Sequence, residues 1–291
     1  MRSTATSCTG SRRSGRMDEP VGLVTVDTRD PHGGPGLTVH SVDSSLLGRA
    51  WHYSLYQPPG PVQEPLPLLY LLHGRGGNHT SWADNSKVLE AMDARIRAGT
   101  LPAVRAVMPD FGSSWYVDAD EPLERAFFAD LLPHVEAQVG PPAGRILAGV
   151  SMGGYGALRY ALTRPHLFGA AMLLSPAIYA GLPPAGSSAR RLPAFGTPFR
   201  DARWQALNYP RVLSGLSTVP TRFFIAAGDS EFRHPSPAAN AEVQAALLHA
   251  RLTGRGASSH LRIVRGGHDW DVWHPAFLEG LGCVLTPGAD L

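Results

Sequence analysis

Apolar residues in this chain fall into short unbroken runs separated by longer mixed stretches. The clearest run is Leu68-Leu69-Tyr70-Leu71-Leu72, which stops at His73-Gly74. A strand without polar alternation must be covered on both faces, as in the middle of a parallel sheet. Similar runs predict strands over residues 104–108, 145–149, 170–174, 222–227 and 261–264. Between them, helices are expected over 86–98, 122–139, 152–163, 238–251 and 273–281. Residues 22–28, 37–42 and 49–57 read as strands from their β-branched and aromatic content, and have no helices between them. The pattern predicts an α/β fold: an antiparallel start, then a mostly parallel sheet with helices on both faces.

The punctuation divides the chain simply. Residues 1–20 are Ser-, Thr- and Arg-rich with almost no apolar content, and read as a disordered leader. Ser11-Arg12-Arg13 invites an export-signal reading, but the apolar segment such a signal needs is replaced by Met17-Asp18-Glu19-Pro20. A translation start at Met17 would account for the leader. Residues 21–291 read as one domain without repeats. Within it, about 178–210 are rich in Pro, Gly, Ser and Arg, and read as an irregular insertion, a candidate lid, with a helical turn near Trp204.

Composition narrows the function classes. A chain of 291 residues that is 43% hydrophobic has enough apolar content for one large core. No stretch reaches the roughly 20 apolar residues that span a bilayer, so no transmembrane segment is expected. Net charge is +2 with no basic stripe, which argues against nucleic acid as a partner. Lys87 is the sole lysine; this reads as the coding bias of a GC-rich genome. Cys8 and Cys283 lie at opposite ends, with neither metal-ligand spacing nor an expected disulfide. Reduced thiols point to the cytoplasm, with secretion as the alternative.

The chemistry concentrates in four places. Gly149-Val150-Ser151-Met152-Gly153-Gly154 sits between a predicted strand and a predicted helix. A serine on a tight strand-to-helix turn has its hydroxyl pushed clear of the backbone, and side chains two positions to either side would collide. A serine nucleophile needs a base. Among 12 histidines, His268 in Gly266-Gly267-His268-Asp269-Trp270 follows a late strand on the correct edge. An acid must orient that imidazole. Asp229, after the strand 222–227, gives the chain order Ser, Asp, His, and Glu231 is the fallback. The oxyanion donors are expected to be the backbone N–H groups of Met152 and of Arg75, in His73-Gly74-Arg75-Gly76-Gly77.

Together these stretches resemble the esterase D-like branch of the α/β-hydrolases, which includes feruloyl and acetylxylan esterases, S-formylglutathione hydrolases and mycolyltransferases. The resemblance rests on residues 71–77 with Trp82, 149–158, 165–169 through Ser175, and 266–270 with Trp273, and spans about residues 45–285. It implies an α/β-hydrolase fold and a serine carboxylic-ester hydrolase. Pro176 stands after Ser175 where the family pattern has Gly, beside the expected substrate cleft.

The expected reaction is an attack by Ser151 on a small-molecule or carbohydrate ester, through an acyl-enzyme, with no metal or cofactor. Trp115, Tyr116 and Trp270 are the expected substrate contacts; Phe111, Tyr155 and Phe232 are near neighbours, and core packing is the competing reading of this aromatic set. Two other readings stand beside hydrolysis. One is an acyltransferase that passes the acyl group to an alcohol or sugar; the other is a non-catalytic binding protein on the same fold.

Overall fold

The computed structural model describes Met1 and residues 36–285. The expected leader over 1–20 and the expected strand over 22–28 lie outside the described residues.

The sheet has eight strands: β1 (Gly36–Ser44), β2 (Arg49–Gln57), β3 (Leu68–Leu72), β4 (Arg105–Pro109), β5 (Arg145–Val150), β6 (Ala170–Leu174), β7 (Arg222–Gly228) and β8 (Ser259–Val264). Their spatial order is β1-β2-β4-β3-β5-β6-β7-β8. β1 pairs antiparallel with β2, and β2 with β4; every later pairing is parallel.

Nine α-helices accompany it: α1 (Ser81–Asp84), α2 (Val88–Arg97), α3 (Leu123–Ala126), α4 (Leu132–Val139), α5 (Met152–Thr163), α6 (Asp201–Leu207), α7 (Tyr209–Ser214), α8 (Ala241–Thr253) and α9 (Trp270–Leu285), counted among the described residues. The single helix expected over 122–139 is broken by a π-helical turn, Phe127–Leu131, that joins α3 to α4. Pro133 stands just beyond it, and a proline has no N–H for the carbonyl four residues back. A local widening of the helix absorbs that gap.

The side chains of β3 show how the sheet builds two cores. Leu68, Tyr70 and Leu72 point into one apolar layer, with Phe127, Leu158 and Tyr160. Leu69 and Leu71 point into the other, with Trp82, Met92 and Phe277. The strand is buried on both faces because α3, α4, α5 and α8 cover one side while α1, α2 and α9 cover the other. At about 25 cal/mol per Å² of apolar surface, a fully buried leucine contributes on the order of 2 kcal/mol.

The stretch 178–210 is less irregular than its composition suggests. It holds α6 and two short 3₁₀ turns, Ser188–Arg190 and Pro193–Phe195. Trp204 is fully buried and donates its indole N–H to the Gly181 carbonyl at 2.9 Å. Its ring stacks 5.7 Å from Tyr155 of α5, which ties the segment to the helix that begins just after Ser151. Among the described residues, no helix is long and apolar enough to cross a membrane.

The strand order reverses at β3: β4 lies on one side of it and β5 on the other. Open parallel sheets bind ligands at the carboxyl ends of the strands flanking such a point. Leu72 pairs with Gly149, so β3 and β5 end level and deliver their following loops side by side.

Candidate active site

Ser151 occupies the turn between β5 and α5 with φ 54° and ψ −113°, a left-handed conformation costly for any residue but glycine. The packing around it over-determines that shape. A Cβ on Gly149 would overlap the Gly153 carbonyl, and a Cβ on Gly153 would overlap the Leu72 carbonyl. The backbone holds on both sides: Ser151 N–H donates to Leu174 O at 2.9 Å, and Ala177 N–H donates to Ser151 O at 2.9 Å.

His268 lies on the loop between β8 and α9. Ser151 Oγ is 2.8 Å from its Nε2, and its Nδ1 is 2.7 Å from Glu231 Oε2. Nδ1 therefore carries the proton and donates to the carboxylate, leaving Nε2 free to accept from the serine.

The carboxylate on His268 is Glu231, not Asp229. The turn after β7 explains the correction. Asp229 and Ser230 still follow β8, with N–H groups donating to Val264 O at 2.8 Å and Gly266 O at 2.9 Å. The Asp229 side chain faces solvent and accepts from the Ser230 hydroxyl at 2.8 Å and from Gly266 N–H at 3.1 Å. Those hydrogen bonds, Ser230 first, hold its carboxyl below the usual range.

Glu231 is the first residue of the turn to point inward, and it is buried. A Cβ on Gly228 would sit 3.0 Å from its Cγ, so the bare glycine leaves the passage its side chain uses. Its Oε1 accepts from Ser175 Oγ at 2.6 Å and from Gly228 N–H at 2.5 Å. Ser175, at φ 44°, accepts in turn from Trp273 Nε1–H at 2.8 Å.

The two expected oxyanion donors border the same cavity as Ser151. Met152 is the first residue of α5, where an N–H has no acceptor inside the helix. Arg75 follows Gly74, whose added Cβ would lie 3.7 Å from Ser151 Cβ. His73 fixes the base of this loop. Phe111 N–H donates to its Nε2 at 3.0 Å, so its Nδ1–H donates to Gly74 O at 2.8 Å. Burial pushes the His73 pKa down, which keeps the ring neutral for that pattern.

The cavity has a volume of about 870 Å³ and opens over Ser151. Of the expected substrate contacts, Trp115 and Trp270 line it. Tyr116 does not. It is fully buried, with φ 59° turning it back into the core, and its hydroxyl donates to His73 O at 2.8 Å. Tyr155 and Phe111 are also core residues. Phe232, 61% exposed, has its ring centre 4.6 Å from that of His268. Sequence reasoning assigns no site role to Ser175 or Trp273; their place in the family-like stretches is the available signal. Among the described residues, no cluster of three or more His, Cys, Asp or Glu is arranged for a metal ion.

Comparison with known proteins bears on the family and the fold. A family model named Esterase, with the description "Putative esterase", matches residues 44–283. An endo-1,4-beta-xylanase/feruloyl esterase of Xylanibacter ruminicola is 35% identical over 152 residues, covering 47% of this chain and 21% of that protein. An iron(III) salmochelin esterase of Escherichia coli O6:H1 is 25% identical over 254 residues, covering 82% of this chain and 55% of that protein. The chain thus spans about a fifth and about half of these two relatives. In three dimensions it superposes on a ferulic acid esterase with a TM-score of 0.69 and 22% identity, over 87% of this chain and 98% of the other, a likeness of fold.

Proposed function

The chain belongs to this esterase family, a family of carboxylic-ester hydrolases with the α/β-hydrolase fold, and from that premise we propose that it cleaves its ester through an acyl-enzyme on Ser151. One observation carries the reading: the unbroken chain from Ser151 Oγ through both nitrogens of His268 to Glu231, with steps of 2.8 and 2.7 Å, at the floor of an open cavity.

The steps follow from the geometry. His268 Nε2 takes the Ser151 proton as Oγ bonds to the ester carbonyl carbon. Glu231 holds Nδ1–H and stabilises the imidazolium. The oxyanion sits against the N–H groups of Arg75 and Met152, and the helix α5 adds the positive end of its dipole. The tetrahedral centre collapses, the alcohol leaves with the proton from Nε2, and the acyl group stays on Oγ. Water then attacks that acyl ester, giving a proton to His268. The acid departs and Ser151 recovers its hydrogen. The walls at Trp115, Trp270 and Phe232 suit an aromatic acyl or alcohol group.

The test is a panel of aryl, acetyl and feruloyl esters with wild type and Ser151→Ala, together with labelling by an aryl phosphonate. Wild type is expected to turn over at least one ester and to gain a phosphonyl group on the Ser151 peptide. A Ser151→Ala protein as active as wild type sinks the reading.

A further inference from the structure

The charge of the cavity wall is one-sided. Arg75 comes from the turn after β3, Arg191 from the segment before α6, and Arg233 from the loop after β7, and all three line the cavity. Glu231 is the one carboxylate among the described lining residues. Its oxygens are already occupied by His268, Ser175 and Gly228 N–H. It offsets the imidazolium that forms during turnover, and among the described residues it makes no ion pair with an arginine.

The arginines differ in what holds them. Arg233 is partly satisfied, with Nη1 3.1 Å from Glu242 Oε1 and Nη2 donating to the Asp229 carbonyl. Arg75 and Arg191 have no side-chain hydrogen bond and no ion pair among the described residues. Elsewhere several arginines are matched: Arg49, Arg105, Arg145, Arg159 and Arg262 each hold a carboxylate. Two exposed guanidiniums on the wall of one cleft, with Glu231 as the sole lining carboxylate among the described residues, make the potential above Ser151 positive.

Resting on the esterase reading above, we propose that the ester this site takes is an anion, with at least one carboxylate- or phosphate-type group held by Arg75 and Arg191 while its body lies against Phe232 and Trp270. A guanidinium fork meets such a group with paired, charge-assisted hydrogen bonds. A neutral ester of the same shape forgoes them and leaves the cationic wall uncompensated. The preference is salt-sensitive because both side chains are solvated.

The experiment compares matched esters with the full-length protein. On the acyl side, para-nitrophenyl para-carboxybenzoate is set against the para-carbamoyl amide. On the alcohol side, para-benzoyloxybenzoate is set against para-benzoyloxybenzamide. The readout is the kcat/KM ratio of anion to amide, in which intrinsic reactivity cancels between proteins. In at least one pair that ratio is expected to fall about tenfold in Arg191→Gln. It falls further in the Arg75→Gln/Arg191→Gln double variant, and in wild type as salt rises from about 20 mM to about 500 mM. The pair that responds tells whether the charge belongs to the acyl or the alcohol side. Arg164→Gln makes the same charge change beyond the far end of α5, about 18 Å along the helix from Ser151, and is expected to leave the ratio alone. If wild type hydrolyses the amides and the ratio is the same in wild type and the double variant for both pairs, the anionic-substrate proposal fails and the esterase reading survives. If wild type hydrolyses none of the four esters and takes no phosphonate label, the esterase reading fails, and this proposal with it.

Discussion

Ser175 donates its hydroxyl hydrogen to Glu231 Oε1 at 2.6 Å, on the side of the carboxylate opposite His268. Glu231 Oε2 receives the His268 N–H at 2.7 Å, so both oxygens are fixed from outside the side chain. A glutamate has one more rotatable bond than an aspartate and needs that anchoring to hold an imidazole in place. β6 supplies the anchor because Ser175 is the first residue beyond its end: Leu174 pairs with Ala226, so Ser175 lies one residue short of Gly228 at the end of β7.

The first prediction separates the two carboxylates of the turn after β7. Glu231→Gln keeps the shape and removes the charge that stabilises imidazolium, and kcat is expected to drop roughly 10³–10⁴-fold. Asp229→Asn removes a carboxylate that faces solvent and touches only Ser230 and Gly266. Its kcat is expected to stay within about threefold of wild type, as for surface changes generally. Steady-state kinetics on one aryl ester decides, and a larger loss in Asp229→Asn would return the role to Asp229.

Much of this arrangement is legible in the order of residues along the chain. The run 68–72 demands two covered faces, and the strand–Ser151–helix turn with His268 after the last strand demands one sheet edge. What cannot be read is direction within a short turn. Asp229 and Glu231 both follow β7, and which one points inward depends on how far the backbone keeps pairing with the β8 loop, a long-range contact. Tyr116 suffers the same ambiguity: its rank beside Trp115 suggests a shared face, yet positive φ at both residues sends the two rings apart. The π-turn before Pro133 is closer to legible, because a proline inside an expected helix announces a break without giving its form.

Removing the anchor tests whether it matters to the chemistry. Ser175→Ala leaves Glu231 Oε1 with Gly228 N–H alone and strips Trp273 Nε1–H of its acceptor. A kcat loss of about tenfold with little change in KM is expected, because the Ser175 hydroxyl is engaged by Glu231 and Trp273 and acts through the carboxylate. Stability should fall by about 1–2 kcal/mol for the buried indole N–H left unpaired. Trp273→Phe removes that donor, so combining it with Ser175→Ala should recover part of the stability and none of the kcat. A kcat within twofold of wild type in Ser175→Ala would show the anchor to be structural only.

Tyr116 gives a stability prediction. Its hydroxyl donates to His73 O and reaches no cavity surface, so Tyr116→Phe is expected to cost about 1 kcal/mol of stability. KM for aryl esters should change by less than about twofold. Urea unfolding and ester kinetics on the same preparation distinguish the cases. A several-fold rise in KM without a stability loss would place the ring against the substrate after all.

His73 makes the protein's acid sensitivity partly a property of the oxyanion loop. The ring is buried beneath that loop, and burial pulls its pKa below the ordinary 6.5, against the opposing pull of the Gly74 carbonyl and Asp110. The unfolded chain therefore takes up a proton on His73 at a higher pH than the folded protein does. The folded state has its full share of stability from this group above about pH 6.5, loses it as pH falls below that value, and levels off only beneath the folded pKa. His40, His79 and His134 shift in the same direction, so wild type alone cannot isolate the effect. His73→Gln does: its amide does not titrate, and the other three histidines act equally in both proteins. The variant is expected to be less stable near pH 8, where it lacks the paired ring hydrogen bonds, yet to lose less than wild type between about pH 8 and about pH 5 in urea denaturation. Parallel stability curves across that range would mean that His73 changes protonation equally in the folded and unfolded chains, and the neutral ring bridging Gly74 and Phe111 would have to be abandoned.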